Sequence, residues 1–252
     1  MSNLVLREDH DGAATLTLNR PEKLNALTKD VFEALDQHVD SIARATRTVG
    51  LVILRGAGGN FSSGYDMEEV LGYVRARAKP HFNSEVIEKL ANLPQPVISA
   101  VEGHCSTGAL ELALAGDLIV ASASARFSDA YARWGLTPIW GLSLRLPQRV
   151  GSAKASEMMF TCRSYTGAEA HEVHLANFCF PDDRFEAELA RLTRDILENS
   201  WFSHQVTKRA LLASDGLGLQ ESHALELFKN EGLAPDAAKR VARFLGRGKP
   251  ER

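Results

Sequence analysis

The stretch "VEGHCSTGALELALAGDLIVAS", residues 101–122, decides how this chain is read. It leaves an apolar segment, crosses a small-residue turn at Ser106, Thr107 and Gly108, and continues as a run of Ala and Leu. The run gives way to "DLIVAS" at 117–122, whose apolar, β-branched character is that of a covered strand. Strand, turn, helix and strand in succession is the grammar of an α/β core. One carboxylate, Glu111, stands among Leu110, Leu112, Ala113, Leu114 and Ala115. A helix apolar on every side is buried. An ionised carboxylate inside it is costly unless it is paired, hydrogen-bonded or protonated. Glu111 therefore has two readings. It is ion-paired with a buried arginine, for which Arg145 is the candidate, or it is an acid/base group with a raised pKa.

The flanks extend the pattern. "AATLTLNRP" (13–21) alternates apolar and polar residues as a half-buried strand does, and Pro21 stops it. "TKDVFEALDQHVDSIAR" (28–44) offers Thr28 as an N-cap, followed by Val31, Leu35 and Val39 at helical spacing. "LVILRGAGG" (51–59) and "PQPVISAVEG" (94–103) are apolar runs suited to strands covered on both faces. From about residue 151 the segments "GSAKASEMMF", "GAEAHEVHLA", "DRFEAELARLTRDILEN", "WFSHQVTKRALLAS", "LQESHALELFKNE" and "PDAAKRVARFLG" read as helices, with "NFCF" the longest strand-like interruption. So many apolar helical faces call for a partner, which points to self-association.

The totals exclude several classes. With 252 residues, 44% hydrophobic and 24% charged, the chain can bury one large core or one core plus an appendage. A formal charge of −3 makes no electrostatic case for nucleic acid or an anionic membrane. No run reaches the roughly 20 apolar residues that span a bilayer, and "MSNLVLREDHDG" turns acidic before a signal-peptide core could form. Cys105, Cys162 and Cys179 are odd in number and widely spaced, so they read as buried thiols in a reducing cytoplasm. No spacing of ligating residues marks a metal site.

Two turns carry the chemistry. "CSTGA" places Ser106, Thr107, Gly108 and Ala109 at a strand-to-helix junction, where backbone N–H groups lack partners and favour negative charge. Gly108 lets a ligand atom approach the backbone. The second turn, "GGNFSSGYDMEEV" (58–70), follows the buried strand in the same way. Its acidic "DMEE" either serves a site or simply opens a helix.

Together these segments resemble the crotonase superfamily, which includes enoyl-CoA hydratases and isomerases. "TLNRPEKLNALT" (17–28) looks like that family's opening strand and coenzyme A loop. "LRGAGGNFSSGYDMEE" resembles its first oxyanion segment, and "ISAVEGHCSTGALELALAGDLIVASASARFS" its second. "GLTPIWGLSLRLPQRVG" matches more loosely, through Gly135, Pro138, Arg145, Leu146 and Gly151. The resemblance implies an α/β spiral of ββα units over residues 1–195, with a helical oligomerisation region at 196–252 that forms trimers or hexamers. It also implies an acyl-CoA thioester substrate, with no cofactor beyond the coenzyme A of that substrate.

By position, the resemblance assigns an oxyanion hole to the amides of Ser63 and Gly108. Coenzyme A contacts fall on Lys23, Ala26, Leu27 and the run Ser63, Gly64, Tyr65, Asp66. Glu111 matches the first of two catalytic glutamates. The second belongs in an F-G-x-P-E segment, where this chain reads "RFSDAYARWG" (126–135) with Tyr131 in the glutamate slot and Asp129 two positions before it. A tyrosine, with a pKa near 10, is a poor base for water. One carboxylate nevertheless suffices for a 1,3-proton shift, so the residue chemistry leans from hydration towards isomerisation. Asp129 either supplies the missing carboxylate or is a surface or capping residue. Other chemistries of the same hole stay open: C–C bond hydrolysis, decarboxylation, thioester hydrolysis, or acyl-CoA binding without turnover. Trp134 and Trp140 are acyl-pocket candidates or core residues. His104 and Arg145 read as structural.

Overall fold

The computed structural model describes residues 3–76 and 81–247. Its first strand, β1 (Val5–His10), precedes the strand from which the sequence reading starts. It folds back on β2 (Ala13–Leu18) through Asp11 and Gly12, both at positive φ (49° and 88°). An Asp-Gly pair between strands is the residue choice such a hairpin demands. The remaining strands are β3 (Leu51–Gly56), β4 (Val97–Val101), β5 (His104–Ser106), β6 (Leu118–Ser122), β7 (Arg126–Ser128), β8 (Tyr165–Thr166) and β9 (Phe178–Phe180). They form a six-stranded sheet in the order β1-β2-β3-β4-β6-β9, parallel from β2 onward, and a three-stranded sheet β5-β7-β8.

The helices are α1 (Lys29–Arg44), α2 (Met67–Ala76), α3 (His81–Ala91), α4 (Gly108–Ala113), α5 (Leu142–Thr161), α6 (Gly167–Glu172), α7 (Phe185–Leu197), α8 (Trp201–Ser214), α9 (Leu219–Lys229) and α10 (Ala237–Arg247). Thr28 caps α1 as expected, its Oγ1 accepting from the Val31 amide at 3.2 Å. The acidic "DMEE" does open a helix, α2. The sequence reading did not resolve α3, although Val86, Ile87, Leu90 and Ala91 are buried at helical spacing.

Both faces of the parallel sheet are covered, which explains its unbroken apolar runs. Val52 and Leu54 of β3 join the main core with α1, while Leu51 and Ile53 face Phe185 and Leu189 of α7. Helix α8 is fastened to this body through Trp201, Gln205 and Lys208, with Gln205 Nε2 donating to the Thr46 carbonyl at 3.4 Å. The Trp201 ring lies over Gly50, where an added Cβ would come within 2.3 Å of it. Lys208 reaches inward to Asp117 Oδ2 (2.7 Å) and the Gln95 carbonyl (3.0 Å). Helix α9 buries no residue. Cys105 and Cys162 are buried as expected, but Cys179 is only partly so, because it lies on the edge strand β9. Among the described residues no helix is long and apolar enough to cross a membrane.

Candidate active site

Backbone bonds lace the two turns singled out in the sequence. Phe61 N–H donates to the Glu102 carbonyl and Ser62 N–H to that of His104, both at 2.8 Å; Ser106 N–H returns to the Ser62 carbonyl at 3.3 Å. Gly64 is required where the turns meet. Its φ is +103°, and a Cβ there would lie 2.6 Å from the Ser106 carbonyl oxygen and 3.7 Å from the Gly108 amide nitrogen. Thr107 is held at φ +55° and ψ −110°, conformational space an L-residue seldom adopts, by its amide bond to the Ser128 carbonyl (2.8 Å).

The amide inventory corrects one assignment. Ser63 N–H donates to the Leu24 carbonyl at 2.9 Å, so it has no proton left for a ligand oxygen. Leu27 pairs with Tyr65 as a parallel bridge through its neighbours, Leu27 N–H to Gly64 O (2.8 Å) and Asp66 N–H to Leu27 O (2.7 Å). That pattern leaves the Tyr65 amide outside the ladder. Gly108 is the first residue of α4, so its amide has no intrahelical acceptor. Among the described residues, the amides of Ser62, Ser63, Gly64 and Asp66 and of Ser106 and Thr107 are all donated within the protein, whereas those of Tyr65 and Gly108 between them are not.

Glu111 is fully buried and, among the described residues, is not ion-paired. Its Oε1 accepts from the amides of Trp140 (2.9 Å) and Leu142 (3.1 Å), and its Oε2 accepts from the Tyr131 hydroxyl. Burial pushes its pKa up, against the three donors that hold it down, with nearby Asp129 adding to the rise. The Arg145 reading is overturned. That guanidinium serves the Trp140 carbonyl (3.1 Å) and Glu88 (2.6 Å), so it fixes the loop that presents the Trp140 amide. Tyr131 is also buried, and burial with the adjacent Glu111 carboxylate raises its pKa further above the ordinary phenol value. Asp129 is not a surface residue. It is buried, its Oδ1 accepts from the Tyr131 amide at 2.9 Å, and desolvation raises its pKa.

The two tryptophans separate. Trp134 ends a 3-10 turn closed by Gly135 (φ 65°) and stands 59% exposed. Trp140 is buried beside the site. A Cβ on Gly108 would meet its ring at 2.6 Å, and its ring centroid lies 5.0 Å from that of Tyr65 and 5.1 Å from that of Phe32. His104 is exposed, with its backbone satisfied by Asn60 Oδ1 and Ser62 N–H.

In the loop assigned to coenzyme A, Lys23 is exposed, whereas Ala26 and Leu27 are buried. Sequence reasoning missed the two residues that shape it. Asn25, at φ 53°, donates to the carbonyls of Ala57 (2.8 Å) and Asn60 (2.6 Å) and accepts from the Arg20 amide (2.9 Å). Arg20 binds the Ala26 carbonyl (2.6 Å) and approaches Asp66 at 3.4 Å. A polar Asn inside an otherwise apolar turn was the available signal.

Comparison with known proteins gives the family. The enoyl-CoA hydratase/isomerase family model matches residues 8–251. A probable peroxisomal enoyl-CoA hydratase of Arabidopsis thaliana is 30% identical over 98% of this chain and 94% of its own. The 1,2-epoxyphenylacetyl-CoA isomerase of Escherichia coli is 28% identical over 100% and 98%. The crystal structure of an enoyl-CoA hydratase from Bacillus anthracis superposes with a TM-score of 0.92, at 26% identity and covering 99% and 98% of the two chains. The fold is therefore the crotonase fold, and the chain belongs to the enoyl-CoA hydratase/isomerase family of the crotonase superfamily.

Proposed function

We propose that this enzyme moves a proton along an acyl-CoA thioester through an enolate, as a double-bond isomerase with Glu111 as its only acid/base carboxylate. The observation that carries this reading is the Tyr131 hydroxyl on Glu111 Oε2, where the family's hydratases place a second carboxylate. Hydration needs a group that deprotonates water on the far side of the substrate. Tyr131 keeps its own proton, since its pKa lies above the ordinary phenol value.

In the proposed step, the Glu111 carboxylate takes a proton from the α-carbon of a 3-enoyl thioester. The electron pair spreads over the dienolate, and the same carboxyl returns the proton at the γ-carbon to give the conjugated 2-enoyl thioester. Atoms balance with no co-reactant. Glu111 Oε2 carries one hydrogen bond, so it keeps a lone pair for the substrate proton. The Tyr65 and Gly108 amides hold the thioester oxygen as charge develops, a role in which losing one donor costs ~3 kcal/mol. Lys23, Ala26 and the 64–66 backbone hold the coenzyme A moiety.

The C-terminal helices form the oligomer contact in this reading. Leu211, Leu219, Phe228, Leu233 and Phe244 are exposed there. A cleft of about 890 Å³ between α8 and α9 is lined by their residues and by none of the site residues. A trimer or hexamer by light scattering is the expected state.

The test is to offer the purified enzyme a 3-enoyl-CoA and a 2-enoyl-CoA. Conjugated-thioester absorbance appears from the first. Loss of that absorbance from the second, at a comparable rate, means hydration and overturns the isomerase reading. Binding of both without either change means a protein that holds acyl-CoA without turnover.

A further inference from the structure

Helix α5 starts on the Glu111 carboxylate. Its N-cap, Gly141, has no side chain to offer the first amides of the helix. Glu111 takes that place from another element: its Oε1 accepts from Leu142, the first residue of α5, and from Trp140 two positions earlier. A helix N-terminus also favours an anion. The turn at 140–142 therefore orients Glu111 and supports its ionised form, and pinning Oε1 leaves Oε2 to handle the substrate proton.

The turn itself is held by the side chain of Arg145, which curls back over it. Nη1 donates to the Trp140 carbonyl at 3.1 Å, and Nη2 donates to Glu88 Oε1 of α3 at 2.6 Å. Gly141 makes the room this needs. Its φ is +106°, and an added Cβ would come within 2.3 Å of Arg145 Nη1. The two ends of the guanidinium are not equivalent, since the Arg145 side chain is 17% exposed and that of Glu88 55%. Exposed ion pairs contribute little, so the bond to the Trp140 carbonyl is the one that matters. Among the described residues Arg145 makes no ion pair with Glu111, so its influence on that carboxylate runs through the turn. Tyr131 and Asp129 face Glu111 from the 129–131 segment, and Glu88 faces Arg145 from α3.

We infer that Arg145 is a positioning residue for the proton transfer: through the Trp140 carbonyl it keeps the Trp140 and Leu142 amides on Glu111 Oε1. The inference rests on Glu111 as the acid/base group and adds the residue that keeps it aimed. Without the guanidinium the turn is free to drift, the two amide bonds weaken, and burial of the carboxylate is less opposed. The Glu111 pKa then rises and the base is ionised over a narrower range.

The test follows the full chain by two readouts. With trans-3-hexenoyl-CoA as substrate, Arg145→Met should move the acid limb of the kcat/KM profile up by at least about half a pH unit. Its plateau kcat should fall about 10-fold, while the Kd for hexanoyl-CoA changes less than about 2-fold. Infrared titration of the protonated Glu111 carboxyl, identified by its absence in Glu111→Gln, should show the same upward shift with no substrate present. Arg145→Gln loses the same two bonds and decides the question where Arg145→Met fails to fold. A loss of rate or of melting temperature with both profiles unmoved means a merely structural arginine and overturns the inference, leaving the acid/base reading standing. Turnover above about a tenth of wild type in Glu111→Gln overturns the acid/base reading instead, and the infrared titration still shows whether Arg145 governs this carboxyl.

Discussion

The hydroxyl of Tyr131 donates to Oε2 of Glu111, twenty residues away in the chain, with both side chains buried. The Trp140 and Leu142 amides occupy the other carboxylate oxygen, so the three donors stabilise the ionised form inside a desolvated site. Burial still dominates, and the net effect raises the Glu111 pKa above the ordinary carboxylate value of 4.5.

Glu111→Gln should abolish proton transfer and spare binding. General acid–base groups contribute roughly 10²–10⁴-fold, so kcat should fall at least ~100-fold while the Kd for a non-reactive acyl-CoA changes less than about 3-fold. The amide oxygen can still accept from Trp140 and Leu142, which keeps the loop in place. A variant retaining more than about a tenth of the wild-type rate, a loss below ~1.4 kcal/mol, would remove Glu111 from the mechanism.

Tyr131→Phe should shift the acid limb of the kcat/KM profile to higher pH. The Tyr131 bond lowers the Glu111 pKa and burial raises it. Without the bond, burial is less opposed and the base is protonated over a wider range. The same raised pKa has a stability consequence. The fold favours protonated Glu111, so this group's contribution is present below the unfolded pKa and lost as pH rises through the folded one. Glu111→Gln should therefore lose less stability than wild type as pH is raised from 4.5. Stopped-flow rates and denaturant midpoints across pH check both statements.

Gly64→Ala should cripple kcat, because the new Cβ meets the Ser106 carbonyl and the residue requires φ +103°. Displacing the turns misaligns the Tyr65 and Gly108 amides, and a misplacement near 1 Å costs about 10²-fold. Ser63→Ala is the control. Its amide already serves Leu24 and its side chain is exposed, so near wild-type kinetics are expected. Steady-state kinetics on the two variants, with circular dichroism to confirm folding, decide the point.

Lys208→Met should destabilise the protein by about 3 kcal/mol or more, since it leaves Asp117 partly buried beside a lost cation. Asp117 Oδ2 also accepts from the Val97 amide at 2.7 Å, so the change reaches the start of β4. Equilibrium denaturant unfolding measures it. A midpoint unchanged from wild type would mean that the Lys208–Asp117 pair does not hold α8 in place.

Much of the core was legible because apolar runs and spacing are local properties. "LVILRG", "VISAV" and "LIVAS" read as covered strands and are β3, β4 and β6, and Thr28 capped the helix it was expected to cap. Strand β1 was missed because "VLREDH" is half polar and buries little more than Val5. The Ser63 assignment failed for a different reason. Which of several consecutive amides is free depends on what crosses the turn, and Leu24 and Leu27 come from forty residues earlier.

The sequence by itself determined the strand–turn–helix order, the burial of Glu111 and the tyrosine in the second glutamate's place, because each follows from residue type at a fixed spacing. Only the tertiary structure decided that Glu111 is bonded to Tyr131 rather than paired with Arg145, that the Tyr65 amide rather than that of Ser63 lacks a partner, and that Trp140 is buried beside the site while Trp134 is exposed. Hydrogen bonds between distant segments depend on angstrom-scale approach and direction, and no local pattern along a chain encodes those.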